Sequence, residues 1–185
     1  MIKKPIVTST LVIECKKQEK KPWVFFEQEN ENINSTSVWV RPKEAYKWFS
    51  EEFSKHYYYK QKPCSFHFPA FVERREPEPI LDAINQVLDA FLYTVNSSHY
   101  PAEVVHFVYP VIILDGLLFS AKIDSDGEIE LTEREYLQLR AIRGLTKPEE
   151  IFTSESTSKI SRTQEIIIDI VKIEALDQFL NIVTK

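Results

Sequence analysis

Residues 104–116, VVHFVYPVIILDG, form a long apolar run rich in β-branched side chains, the pattern of a buried strand. A strand this apolar needs neighbours that share its core. The rest of the chain offers them: TLVIEC (10–15), PWVFFEQ (22–28), LLFSAKI (117–123) and EIIIDIV (165–171) all read as strands. The first two read as a hairpin closed by the charged stretch KKQEKK. Asp115-Gly116 and Asp126-Gly127 read as turns. Between these runs, Ile80, Ala83, Ile84, Val87, Leu88, Phe91 and Leu92 repeat at three- and four-residue spacing, which predicts a helix over 79–95. A second helix is expected from Pro42 to about Phe53, and a third over 173–183. EREYLQLRAI (133–142) fits helix or strand, and residues 56–71 read as irregular or edge strand. Residues 147–163 read as a surface loop. No repeat is found. The expectation is one mixed α/β domain over residues 1–185, a mixed sheet flanked by helices.

Composition narrows the function. With 43% hydrophobic and 12% aromatic residues, the 185-residue chain is not of disordered type. Three glycines are too few for most phosphate-cradling loops. Two cysteines, Cys15 and Cys64, make neither a disulfide framework nor a four-thiolate zinc site. No charge-free run reaches the roughly 20 residues that cross a bilayer, and MIKKPIVTST lacks a signal-peptide core. A cytoplasmic protein without a membrane partner is expected.

The net charge of −5 is unevenly spread. Residues 1–76 balance at +4 and hold 14 of the 23 aromatic residues, whereas the remainder balances at −9. A basic, aromatic half suggests an anionic partner, with nucleic acid the foremost candidate. Lys16, Lys17, Lys20 and Lys21, with Trp23 nearby, would form that face; the plainer account is that these lysines solvate a turn.

One spacing carries chemistry. In LVIECKK, Glu14 and Lys16 stand two apart on a strand and therefore share a face. An acid and an amine side by side on an apolar strand are costly unless paired, metal-bound or at an edge. Such a pair suits metal-assisted phosphodiester hydrolysis. The carboxylate helps hold a divalent ion, and the ammonium positions water or stabilises the charged transition state.

The run LVIECKKQEKKPWVFF resembles the PD-(D/E)XK nuclease superfamily, the restriction-endonuclease-like proteins. The likeness extends more loosely to a helix bearing Ala83, Gln86 and Ala90, and to YPVIILDGLLFSAKI and EIIIDIVKIEALDQFL. It implies a restriction-endonuclease-like core, magnesium held by Glu14 as metal ligand, Lys16 as the catalytic lysine, and nucleic acid as substrate. In that superfamily an essential aspartate precedes the Glu-x-Lys strand, but none of the thirteen residues before Glu14 is acidic. On this reading the core is N-terminally incomplete, or its catalytic centre is lost, or another acid substitutes. Asp115 is the foremost substitute. The chain as it stands is then expected to be a weak nuclease or none, and the alternative is a non-catalytic nucleic-acid-binding or protein-interaction module that retains the fold.

Other candidates are weaker. Asp124, Asp126 and Glu128 lack the full calcium-loop pattern. His56, His67, His99 and His106 never fall at zinc-hydrolase spacing. Cys64 has no histidine–acid arrangement in the sequence that would mark a nucleophile. Cys15, facing away from Glu14, reads as a small core residue.

Overall fold

The structure is a computed structural model, and it describes residues 6–27, 64–68, 79–97, 104–144 and 163–183. They form β1 (Ile6–Glu27), β2 (Cys64–Phe68), α1 (Pro79–Ser97), β3 (Val104–Ile123), β4 (Ile129–Glu133), β5 (Tyr136–Gly144) and β6 (Thr163–Lys172). A 3-10 turn (Ile173–Ala175) then leads into α2 (Leu176–Val183). The expected helix from Pro42, most of the 56–71 connector and all of the 147–163 loop but Thr163 lie outside the described residues.

The fold is α/β, with all six strands in one mixed sheet. The apolar run 104–116 is its central element. β3 has β1 alongside it in parallel, and on its other edge first β6 in parallel and then β4 antiparallel. β5 pairs antiparallel with β6, β2 antiparallel with β1, and the single pair Cys64↔Leu139 links β2 to β5. Pro110 falls just before the β6 pairing begins at Val111, where its missing N–H breaks no ladder on that side.

Alternation along β3 feeds two cores. Ile112, Leu114 and Leu118 join Ile80, Ala83, Ile84, Val87 and Leu88 of α1, with Phe91 packed against them. Tyr109, Val111 and Ile113 join Ala175, Phe179 and Val183 at the other end of the chain. Each fully buried Leu, Ile or Phe of this kind contributes about 1.5–3 kcal/mol. The stripe read from sequence is thus the buried face of α1, and the helix starts where Pro79 needs no N–H partner and Asp82 meets the positive end of the helix dipole.

Two local readings are corrected. TLVIEC and PWVFFEQ are not a hairpin: both run parallel to β3 as stretches of one strand. Asp115-Gly116 is not a turn but mid-strand in β3. The Asp126-Gly127 turn does close the β3–β4 hairpin, with Gly127 at φ 82°, where glycine alone is unstrained. Its Asp124 carboxylate accepts from the N–H groups of Asp126 (2.9 Å) and Glu128 (2.8 Å). EREYLQLRAI resolves as the end of β4 and most of β5.

Candidate functional site

Alternation on β1 sends Val12 into the core beneath α1 and Leu11 into the core beneath α2. Glu14 and Lys16 follow Val12 on the α1 face, in register with Ile112 and Leu114. There the Lys16 Nζ lies 2.9 Å from Glu14 Oε1 and donates to Gln86 Oε1 at 2.8 Å. Gln86 stands on the exposed flank of α1, next to the buried Val87. Helix packing therefore carries its amide to a lysine 70 residues earlier in sequence. The Lys16 and Glu14 side chains are 24% and 26% exposed. They are shielded enough for Coulomb attraction to count, yet open to a solvent-borne ligand. The arrangement offers a carboxylate that can bind a cation or activate water, and an ammonium whose position is fixed from two sides.

Immediately downstream the strand bulges. Gln18 pairs with Gly116 and Trp23 with Leu118, so residues 19–22 oppose one residue of β3. The bulge brings the Gln18 carbonyl onto Gly116, where an added Cβ would lie 2.5 Å from the oxygen. This close approach, rather than a turn, is why a glycine stands there. Lys17 pairs with Glu19 at 2.7 Å and with Asp115 at 3.8 Å. Asp115 is in register with Lys17 and so projects from the face opposite Glu14. It is therefore not placed as a substitute ligand beside Glu14.

The basic group is divided by the same geometry. Lys20 and Lys21 lie on the bulge, the side chain of Lys20 being outside the described residues. Trp23 is 2% exposed and packs edge-on to Phe25, ring centroids 6.3 Å apart. Its indole belongs to the core, which corrects its placement on a nucleic-acid surface. Cys15 does face away from Glu14 but is exposed, not a core residue. His67 and His106 lie on β2 and β3, whereas His56 and His99 fall outside the described residues.

A second polar cluster, with no signal in the local sequence, closes the other end of β1. Glu27 Oε1 accepts from Ser120 Oγ at 2.7 Å and from Arg134 Nη2 at 2.8 Å, and Arg134 Nε donates to Ser120 Oγ at 2.9 Å. The Ser120 hydrogen bond, with support from Arg134 and Lys122, holds the Glu27 carboxyl below its ordinary value despite partial burial. Cys64, in register with Glu27, is buried, and desolvation with the nearby carboxylate pushes its thiol up to about 12. These side chains satisfy one another and tie β1, β3 and the β4–β5 link together.

Among the described residues, no group of three or more His, Cys, Asp or Glu side chains comes together to hold a metal ion. Glu14 offers a single carboxylate already paired with Lys16, whereas magnesium demands near-octahedral oxygen ligation. The described residues alone therefore do not fit a magnesium site. No described helix is long and apolar enough to cross a membrane. No family model, curated protein or solved structure matches the chain.

Proposed function

We propose that the chain carries a nuclease-like domain of the PD-(D/E)XK type, with a restriction-endonuclease-like core, directed at phosphodiester bonds in nucleic acid. The observation that supports this reading best is the Glu14–Lys16 pair on one face of β1, with its ammonium steadied by Gln86 from α1. In this role Lys16 stabilises negative charge developing on the phosphate, Gln86 limits the rotamers of Lys16, and Glu14 is the carboxylate nearest the reacting centre. Magnesium, when bound, would supply Lewis-acid activation of water. Its further ligands would have to come from substrate oxygens, water and groups outside the described residues. Lys20 and Lys21, on the bulge beside the site, would meet the phosphate backbone, whereas Lys17 shares the opposite face with Asp115.

The experiment is a cleavage assay with magnesium or manganese on DNA and RNA, paired with binding at two ionic strengths. Weak cleavage at most is expected, lost in Glu14→Ala and Lys16→Ala and retained in Asp115→Ala, since Asp115 lies on the other face. Binding should weaken steeply with salt and with Lys20→Glu plus Lys21→Glu. Robust cleavage that survives Glu14→Ala would overturn the site. Salt-sensitive binding with no cleavage under any condition would favour the second reading, a non-catalytic nucleic-acid-binding module, which the lack of a metal-holding group among the described residues supports.

A further inference from the structure

We propose that the free edge of β4 is a docking strand for an extended segment of a partner protein that alternates apolar residues with Lys or Arg. β4 ends the sheet and, among the described residues, pairs only with β3. Two backbone bonds, Asp124 N–H to the Glu128 carbonyl (3.0 Å) and Arg134 N–H to the Leu118 carbonyl (2.9 Å), set the phase of the ladder. Even-numbered residues bond inward to β3. Ile129, Leu131 and Glu133 therefore turn their N–H and C=O groups outward, in position to accept another strand.

The side chains specify what that strand carries. Ile129 and Leu131 are 58% and 56% exposed, and Ile123, directly across from Ile129, is 47% exposed. These three share one face, while Glu128 and Glu130 lie on the other. Residues 124–135 hold six acidic residues and one basic, and that base, Arg134, is engaged by Glu27 and Ser120. A second copy of this chain is a poor occupant. Antiparallel pairing about Leu131 would set Ile129 of each copy opposite Glu133 of the other, an apolar residue against a charge, and would bring the two Glu130 side chains diagonal to one another. A strand with apolar residues on one face and basic residues on the other satisfies both faces at once. The edge is also rigid. The Asp124 side chain caps the turn, and Lys172 Nζ donates to Glu133 Oε1 at 2.9 Å, so little ordering is needed on binding.

The test uses the full 185-residue chain and two fluorescently labelled seven-residue peptides, one alternating lysine with valine and one alternating glutamate with valine. Fluorescence anisotropy should show the lysine peptide binding and the glutamate peptide not. Leu131→Pro removes an outward N–H while sparing the β3 ladder and should weaken binding at least tenfold. The double change Glu128→Lys, Glu130→Lys, at exposed positions, should do the same and serves even where the proline variant does not fold. Amide exchange at Ile129 and Leu131 should slow in the complex. Equal binding of both peptides, no binding, or indifference to both variants would overturn the proposal. So would a dimer of the chain with those amides protected, because the occupant would then be a second copy.

Discussion

Two carboxylates on β1 face the same side of the sheet, and their surroundings differ in kind. Glu27 is answered from β3 and from the β4–β5 link by Ser120 and Arg134, which also bond each other. Three hydrogen bonds close that group on itself, and the carboxyl is held in its charged form. Glu14 is paired with Lys16, from its own strand, and that lysine gives its second bond to a helix side chain. The first arrangement is a clasp. The second leaves a carboxylate and a fixed ammonium at a partly open surface, the condition a reactive site requires. The bulge at residues 19–22 separates the two.

The largest effect should come from removing that separation. Gly116→Ala places a Cβ against the Gln18 carbonyl, a backbone atom that cannot swing aside. A loss of about 2–3 kcal/mol is expected, the upper range of overpacking costs, measured by urea unfolding. A neutral result would mean that the bulge is soft and that the two ends of β1 move independently.

Next in size is the pH response of the clasp. Glu27 has a lowered carboxyl pKa in the fold, so the unfolded chain binds more protons in that window. The stability it contributes is complete above its ordinary value of 4.5 and is lost as pH falls through the lower folded value. Glu27→Gln should therefore lower stability at neutral pH by about 1 kcal/mol and flatten part of the decline below pH 4.5. Lys16→Ala should cost less than about 1 kcal/mol, as partly exposed ion pairs do. Equal costs at both ends would erase the distinction between clasp and site.

Much of this was legible in the sequence where a single periodicity decided the outcome. The stripe of α1, the buried run of β3, the Asp126-Gly127 turn and the shared face of Glu14 and Lys16 all follow from local repeats. What local reading missed was decided by partners far along the chain. KKQEKK looks like a loop, but β1 continues through it because β3 offers partners on both sides of the bulge. Asp115-Gly116 has turn chemistry, yet Gly116 is required by a carbonyl from β1. Trp23 sits beside lysines in sequence, but strand alternation after the bulge turns it inward. The Glu27 clasp joins residues 93 and 107 positions apart, which no spacing rule reaches.

The smallest perturbation uses the two thiols, because each end of β1 has its own. Cys15 lies between Glu14 and Lys16 but on the opposite face, and it is exposed. Cys64 is buried beside Glu27, its thiol pushed up to about 12, so almost no thiolate forms at neutral pH. Reaction with a disulfide reagent at pH 8 should label Cys15 rapidly in the native protein and Cys64 only when the fold opens, giving one fast thiol natively and two in denaturant. Glu27→Gln loosens the clasp over Cys64 and should speed the slow thiol without changing the fast one. Lys16→Ala should leave the slow thiol unchanged, since Cys64 is neighbour to the other cluster. Rapid native labelling of both cysteines would show that the end held by Glu27 is no more closed than the end that carries Glu14.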